Sequence, residues 1–162
     1  MDSSGPWWVS GLSALSGVVI TSAVTVTLWL TTRRTDRRRL AWAKKAESYP
    51  ELLLAVDGLA RLPVWPVTKG DPEASYDTIS QVAQRVRIFG GEQVKEPVVE
   101  LLNAAHALAT TIATIRGTGK PAHGDLIDQR DAVGHRQAVD ALWSASERFR
   151  AASRLDLEVD PR

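Results

Sequence analysis

Asp128, Asp131 and His135 are the residues whose types and spacing come nearest to a reactive centre. Steps of three and four residues place the three side chains on one face of a helix, where carboxylates and an imidazole make suitable metal ligands. Helical di-iron bundles, however, join Glu-x-x-His motifs from several helices, and this chain contains no such motif. We therefore predict neither a metal nor another cofactor, and keep the three residues as weak metal candidates.

Other catalytic arrangements are missing from the sequence. The segment GTGK, at residues 117–120, lacks the earlier glycine of a phosphate-binding loop, and Pro121 replaces the Ser or Thr that should follow the lysine. No spacing of Ser, His and Asp, or of paired carboxylates, indicates a nucleophile with its base. The chain has no cysteine, which excludes disulfides and thiolate chemistry. The sequence thus predicts a protein that is not an enzyme.

The chain divides into three segments that differ sharply in net charge. Residues 1–32, 33–45 and 46–162 carry net charges of −1, +6 and −4. Within the first segment an uncharged run occupies residues 7–30, and a helix of that length spans roughly 36 Å, enough to cross a ~30 Å hydrocarbon core with a tilt. Tryptophans, which favour the headgroup zone, lie at its borders: Trp7, Trp8 and Trp29. This run is the predicted transmembrane helix.

An arginine cluster directly follows the run and sets its expected orientation. It comprises Arg33, Arg34, Arg37, Arg38 and Arg39. Basic residues after the apolar run, with none before it, reverse the order of a cleaved signal peptide and are typical of a flank retained in the cytoplasm. At this position contact with anionic lipid headgroups is favoured over nucleic-acid binding. We expect residues 1–6 outside the inner membrane, and a basic juxtamembrane segment at residues 31–48.

Small side chains recur every four residues within the predicted span, at Ser13, Gly17, Thr21 and Thr25. Such a stripe permits two helices to approach closely and to form hydrogen bonds. These residues are a candidate transmembrane dimer face, although Ser, Thr and Gly are common enough in such helices to produce a stripe by chance.

Beyond the basic segment, apolar residues follow helical periodicity throughout, which predicts an all-α fold. The first helix covers residues 49–62, and Pro50 either kinks a helix that continues from the membrane or opens a new one. Asp71 and Pro72 predict the start of a second helix, which Gly90 and Gly91 end.

Two further helices complete a small antiparallel helical bundle over residues 49–155, which we expect in the cytoplasm. The third helix, residues 92–116, carries apolar residues at the alternating steps of a coiled-coil-like seam: Val94, Val98, Leu101, Ala105, Leu108, Ile112 and Ile115. The fourth runs roughly from Asp125 to Leu155. Residues 156–162 lack periodicity, which predicts a flexible tail.

Two segments of the bundle carry a family resemblance. A Tyr-x-Glu-Leu-Leu motif is matched by Tyr49, Glu51, Leu52 and Leu53. An apolar-Gly-Ser-x-x-Val turn is matched by Phe89, Gly90 and Val94, with Gly91 in place of the usual Ser. Together with the single span and arginine flank, these motifs make the chain similar to a widespread group of uncharacterised, membrane-anchored helical proteins of actinobacteria. The resemblance implies this architecture and no particular activity.

An anchor, a helical bundle and no catalytic motif together predict a protein that acts by binding. We expect a scaffold or adapter domain that binds another protein or a second copy of itself. One alternative is a membrane-disrupting or stress-triggered effector that oligomerises through its transmembrane helix. Another is a bundle enzyme that uses Asp128, Asp131 and His135, which only a bound metal would favour. Membrane lipids are the other expected partner, and nucleic acid is not expected.

Overall fold

The computed structural model describes residues 40–118 and 127–159. These residues form four helices: α1 over residues 40–60, α2 over Pro72–Phe89, α3 over Glu92–Thr118 and α4 over Gln129–Val159. No strand occurs in the two described ranges, and the all-α class is confirmed. The chain divides into two compact units, Met1–Ala41 and Trp42–Arg162. The second unit contains the helical bundle, so the bundle begins earlier than residue 49.

The first helix runs through Pro50 without a break, so this proline does not separate two helices. A proline inside a helix removes one backbone hydrogen bond, and packing of the apolar face compensates for that loss. Tyr49, Leu52, Val56 and Leu59 are all buried, as the periodicity predicts. The helix ends at residue 60, shortly before Pro63.

Capping residues define both ends of α2 in the predicted way. The side chain of Asp71 accepts a 2.9 Å hydrogen bond from the backbone N–H of Glu73, and Pro72 occupies the first turn. At the other end the Gly90 N–H donates to the carbonyl of Val86 at 2.7 Å. Since Gly90 and Gly91 alone connect α2 with α3, these two helices form a tight antiparallel hairpin.

The third helix lies at the centre of the bundle, with α2 and α4 packed against it. All seven residues of its predicted seam are buried, and each large side chain contributes about 1.5–3 kcal/mol of stability. Within the described ranges, its Glu92–Gly117 segment is the one stretch long and apolar enough to cross a membrane, with a mean hydropathy of 1.4. Core helices of soluble proteins have the same character, so this is weak evidence of membrane association.

The last helix extends beyond the predicted boundary at Leu155. It continues to Val159, and Asp156, which the sequence analysis placed in a flexible tail, is buried with only 5% of its surface exposed. The prediction was wrong here because apolar periodicity does not register a polar residue that is buried through hydrogen bonds.

A different set of polar contacts lies at each end of the bundle. At the entry end, where the chain enters α1, Lys45 and Tyr49 lie against Asp156 and the Gly90–Gly91 turn. At the distal end, the loop of residues 61–71 lies against Arg116, near the end of α3. Tyr49, midway along α1, meets Asp156 near the end of α4, whereas the loop that follows α1 and the first turn of α4 both lie near the end of α3. The two helices α1 and α4 are therefore antiparallel.

Candidate functional site

Most residues that the sequence assigns to sites lie outside the described ranges. They are the border tryptophans, the arginine cluster and the small-residue stripe: Trp7, Trp8, Trp29, Arg33, Arg34, Arg37, Arg38, Arg39, Ser13, Gly17, Thr21 and Thr25. The predicted span at residues 7–30, its orientation and its dimer face therefore stay predictions.

The three weak metal candidates are described, and each has a different environment. Asp128 precedes α4, and its carboxylate accepts a 2.9 Å hydrogen bond from the Arg130 N–H, as an N-cap does. Asp131 lines a groove of about 260 Å³ between α3 and α4. His135 is half-buried, and burial lowers its pKa below the ordinary value. No group of three His, Cys, Asp or Glu side chains in residues 40–118 and 127–159 is arranged to hold a metal ion.

A buried polar cluster at the entry end is the most complete arrangement of functional groups in the described part of the chain. Its centre is the Asp156 carboxylate, which accepts a 2.5 Å hydrogen bond from the Tyr49 hydroxyl. The Gln93 amide nitrogen donates at 3.2 Å and the Gly91 N–H at 3.3 Å. The Lys45 ammonium lies 3.2 Å from the same carboxylate. Three of the four donors approach the Oδ2 atom and the Gln93 amide approaches Oδ1, so both carboxylate oxygens have partners.

Electrostatics within this cluster favour one protonation state. Burial is the largest influence on Asp156 and by itself raises the pKa, but hydrogen bonds from Tyr49, Lys45 and Gly91, with the Lys45 charge, lower the pKa below its usual range. For Tyr49, burial and the hydrogen bond to Asp156 raise the pKa well above the ordinary value. At neutral pH the carboxylate is therefore charged and the phenol protonated. This cluster fastens α1 to α4 and to the α2–α3 turn.

The turn between α2 and α3 requires glycine because the side chains of Asp156 and Tyr49 lie very close to its backbone. A Cβ atom at position 91 would lie 2.0 Å from an oxygen of the Asp156 carboxylate. A Cβ at position 90 would lie 2.6 Å from the backbone oxygen of Val86 and 3.1 Å from the Tyr49 hydroxyl. The Gly90–Gly91 pair thus ends α2 and also admits side chains from two other helices.

A second polar arrangement holds the loop of residues 61–71 at the distal end. The Arg116 guanidinium donates to three backbone carbonyls, those of Gly70 at 2.6 Å, Pro63 at 2.8 Å and Val64 at 2.9 Å. The planar donor fork of arginine can reach three acceptors at once, which an ammonium group does less well. One side chain therefore fixes both halves of the loop.

Inside the same loop, Trp65 packs against the hydrophobic core beside buried Val64. Its indole nitrogen is buried and forms no hydrogen bond with another described residue. Val67, by contrast, is 51% exposed. Trp65, which lies between Pro63 and Pro66, therefore contributes to the core at the distal end.

Sequence reasoning missed both Asp156 and Arg116. A basic residue in the last turn of a helix is expected from the dipole, so Arg116 gave no distinctive indication. Asp156 did offer one, because an acidic residue near a helix C-terminus opposes the dipole and requires a compensating partner. The partners lie far away in the sequence, at Lys45, Tyr49 and Gly91, and only the tertiary fold identifies them.

No protein-family model, curated protein or solved structure matches the chain. The geometry of the bundle is therefore the basis for a functional conclusion.

Proposed function

We propose that the protein is a single-pass protein of the inner membrane whose cytoplasmic helical bundle serves as a scaffold or adapter. In this proposal residues 7–30 span the membrane, the arginine-rich flank contacts lipid headgroups on the cytoplasmic side, and the bundle binds another protein without catalysing a reaction. The resemblance to membrane-anchored helical proteins of actinobacteria is part of the same proposal. In the bundle the two motifs meet, since Tyr49 of one lies against Gly90 of the other.

The observation that carries the binding role is the Arg116-braced loop. Its backbone is held by three hydrogen bonds, so a partner that binds residues 61–71 does not have to order the loop first. Ordering a residue costs about 1–2 kcal/mol of backbone entropy, and a loop fixed in advance avoids that cost on association. Pro63, Val67 and Lys69 are exposed and give a partner apolar and charged contacts.

Proximity labelling in the native cell tests this proposal, with the labelling enzyme fused after Arg162. We expect strong labelling of one or two cytoplasmic or inner-membrane proteins. The substitution Val67→Asp should abolish that labelling if the distal loop is the binding surface. The matched control is Leu54→Asp, which places the same charge on another exposed apolar site, since Leu54 on α1 is 71% exposed and Val67 is 51% exposed.

Two other results would contradict the proposal. Labelling of exported proteins would overturn the topology. Labelling of only the protein itself and bulk membrane neighbours would exclude an adapter and favour the self-assembling effector.

A further inference from the structure

The entry end of the bundle exposes several large apolar side chains. Ile88 is 73% exposed and Phe89, the next residue, is 36% exposed, immediately before the Gly90–Gly91 turn. Trp42 on α1 is 45% exposed. Trp42 lies one turn before Lys45 on the same face of α1, and Lys45 contacts Asp156, so all three side chains belong to this end. Large apolar side chains exposed at the same end of a bundle indicate an interaction surface.

Basic groups surround these apolar side chains. Arg87 and Lys95 line a groove of about 500 Å³ together with Ile88 and Gln84. Among the acidic residues of the region, Glu92 pairs with Lys95 at 2.5 Å and Glu47 with Lys44 at 2.9 Å, whereas Glu96 and Glu158 are exposed and form no salt bridge within the described ranges. Within the described ranges, Arg87 and Arg154 form no salt bridge. These two cations are therefore available to an anionic partner.

The combination of tryptophan, phenylalanine and isoleucine with unpaired arginines matches the chemistry of a membrane interface. Indole rings favour the headgroup zone, other apolar side chains enter the boundary of the acyl chains, and each basic residue near an anionic surface contributes about 1 kcal/mol. The sequence favours a lipid surface over a protein as the partner of this end. The reason is that the arginine cluster, which ends at Arg39, closely precedes Trp42.

We propose that the entry end of the bundle, through Trp42, Ile88, Phe89 and Arg87, docks onto the anionic lipid surface of the membrane. This inference rests on the proposed membrane anchor and adds a second contact, made by the folded bundle. Docking at the entry end leaves the distal loop pointing away from the lipid, free for a protein partner.

Site-specific fluorescence on the full chain in lipid nanodiscs tests the proposal. Because the chain has no cysteine, the variant Ile88→Cys accepts a single environment-sensitive label. Val67→Cys is the matched control, since Val67 is exposed in the distal loop. In nanodiscs that contain phosphatidylglycerol we expect a blue shift and lipid-borne quenching for the label at position 88, and neither for the label at position 67. Adding Arg87→Gln should reduce the quenching at position 88.

Three outcomes would overturn the inference. They also distinguish a failure of docking from a failure of the proposed membrane anchor. If the full chain elutes with nanodiscs but both labels report water, docking is excluded and the anchor stands. If the label at position 88 shifts equally in phosphatidylcholine alone, with no effect of Arg87→Gln, recognition of anionic lipid is excluded. If the chain does not associate with nanodiscs at all, the proposed anchor fails and the docking inference fails with it.

Discussion

The Tyr49 hydroxyl donates a 2.5 Å hydrogen bond to the Asp156 carboxylate across 107 positions of sequence. The bond joins the first helix to the last, and the Tyr49 ring meets the Phe149 ring edge-on with centroids 5.7 Å apart. A polar contact and an aromatic contact therefore lie side by side at one end of the bundle. Edge-to-face ring pairs add about 0.5–1.5 kcal/mol beyond the burial of their area.

Replacing Asp156 by Asn should destabilise the bundle strongly. The change removes the carboxylate charge that lies 3.2 Å from the Lys45 ammonium, whose side chain is 12% exposed, and breaking a buried ion pair costs about 3–5 kcal/mol. Chemical denaturation of the full chain in mild detergent, followed by circular dichroism, gives the free energy of unfolding. Glu158→Gln is the matched control, because it removes the same charge from an exposed position of α4 and should change stability by about 0.5 kcal/mol or less.

A double-mutant cycle should show that Tyr49 and Asp156 act together. Tyr49→Phe removes one hydrogen bond to a charged group and should cost about 2 kcal/mol in the parent protein. In the Asp156→Asn background the same change should cost clearly less, since the charged acceptor is gone. Equal costs in the two backgrounds would show that the hydrogen bond contributes nothing specific.

Two glycine substitutions should have opposite effects. Gly91→Ala places a Cβ 2.0 Å from Asp156 and should lower the free energy of unfolding by about 1–3 kcal/mol through overpacking. Gly134→Ala meets nothing within 4 Å inside α4 and should raise it by about 0.5–1 kcal/mol, because alanine favours the helix. Thermal unfolding of both variants measures the contrast. If Gly91→Ala leaves the free energy of unfolding unchanged, Asp156 does not occupy its buried position.

Removing the Arg116 guanidinium should release the distal loop. Arg116→Ala loses three hydrogen bonds to backbone carbonyls, and we expect a cost of about 2 kcal/mol with faster amide exchange in residues 61–71. Hydrogen exchange followed by mass spectrometry localises the effect. Arg61→Ala breaks an exposed pair with Asp57 and should cost at most about 1 kcal/mol without increased exchange in the loop. Unchanged exchange in Arg116→Ala would exclude the bracing role.

Stability should fall at both extremes of pH for identifiable reasons. The pKa of Tyr49 is raised in the folded state, so its contribution is complete below about 10 and is lost as the pH rises above that value. The pKa of Asp156 is lowered, so its contribution is present above about 4 and is lost as the pH falls through the folded value.

Protonation of His135 should lower the free energy of unfolding slightly as the pH falls. This loss begins at a higher pH than the loss caused by protonation of Asp156. The pKa of His135 is lowered by burial, so the unfolded chain binds a proton first and stability decreases as the pH falls below about 6.5. Denaturation at a series of pH values should show this decline in the parent protein and not in His135→Gln. A decline that persists in the variant would assign it to another group.

The helices were predictable from the sequence because their determinants are local. Asp71 and Gly90 bound α2 as their capping preferences require, and the seam from Val94 to Ile115 is buried as its spacing requires. The polar ties were not predictable in this way. Asp156 and Arg116 act on residues at least 46 positions away, and which helices meet depends on the packing of the whole core. Gly91 is the intermediate case, since its turn was expected but its approach to Asp156 was not.

The Tyr49–Asp156 tie also has a mechanical consequence. Tension that reaches the bundle through the start of α1 acts first on the turns that carry Lys45 and Tyr49, and there α1 is fastened to the end of α4. A force along the axis of α1 therefore acts on this polar cluster first. The apolar contacts of Leu52, Val56 and Leu59, farther along the helix, bear the force only afterwards. The cluster is therefore the first contact to resist a pull that enters the bundle through the start of α1.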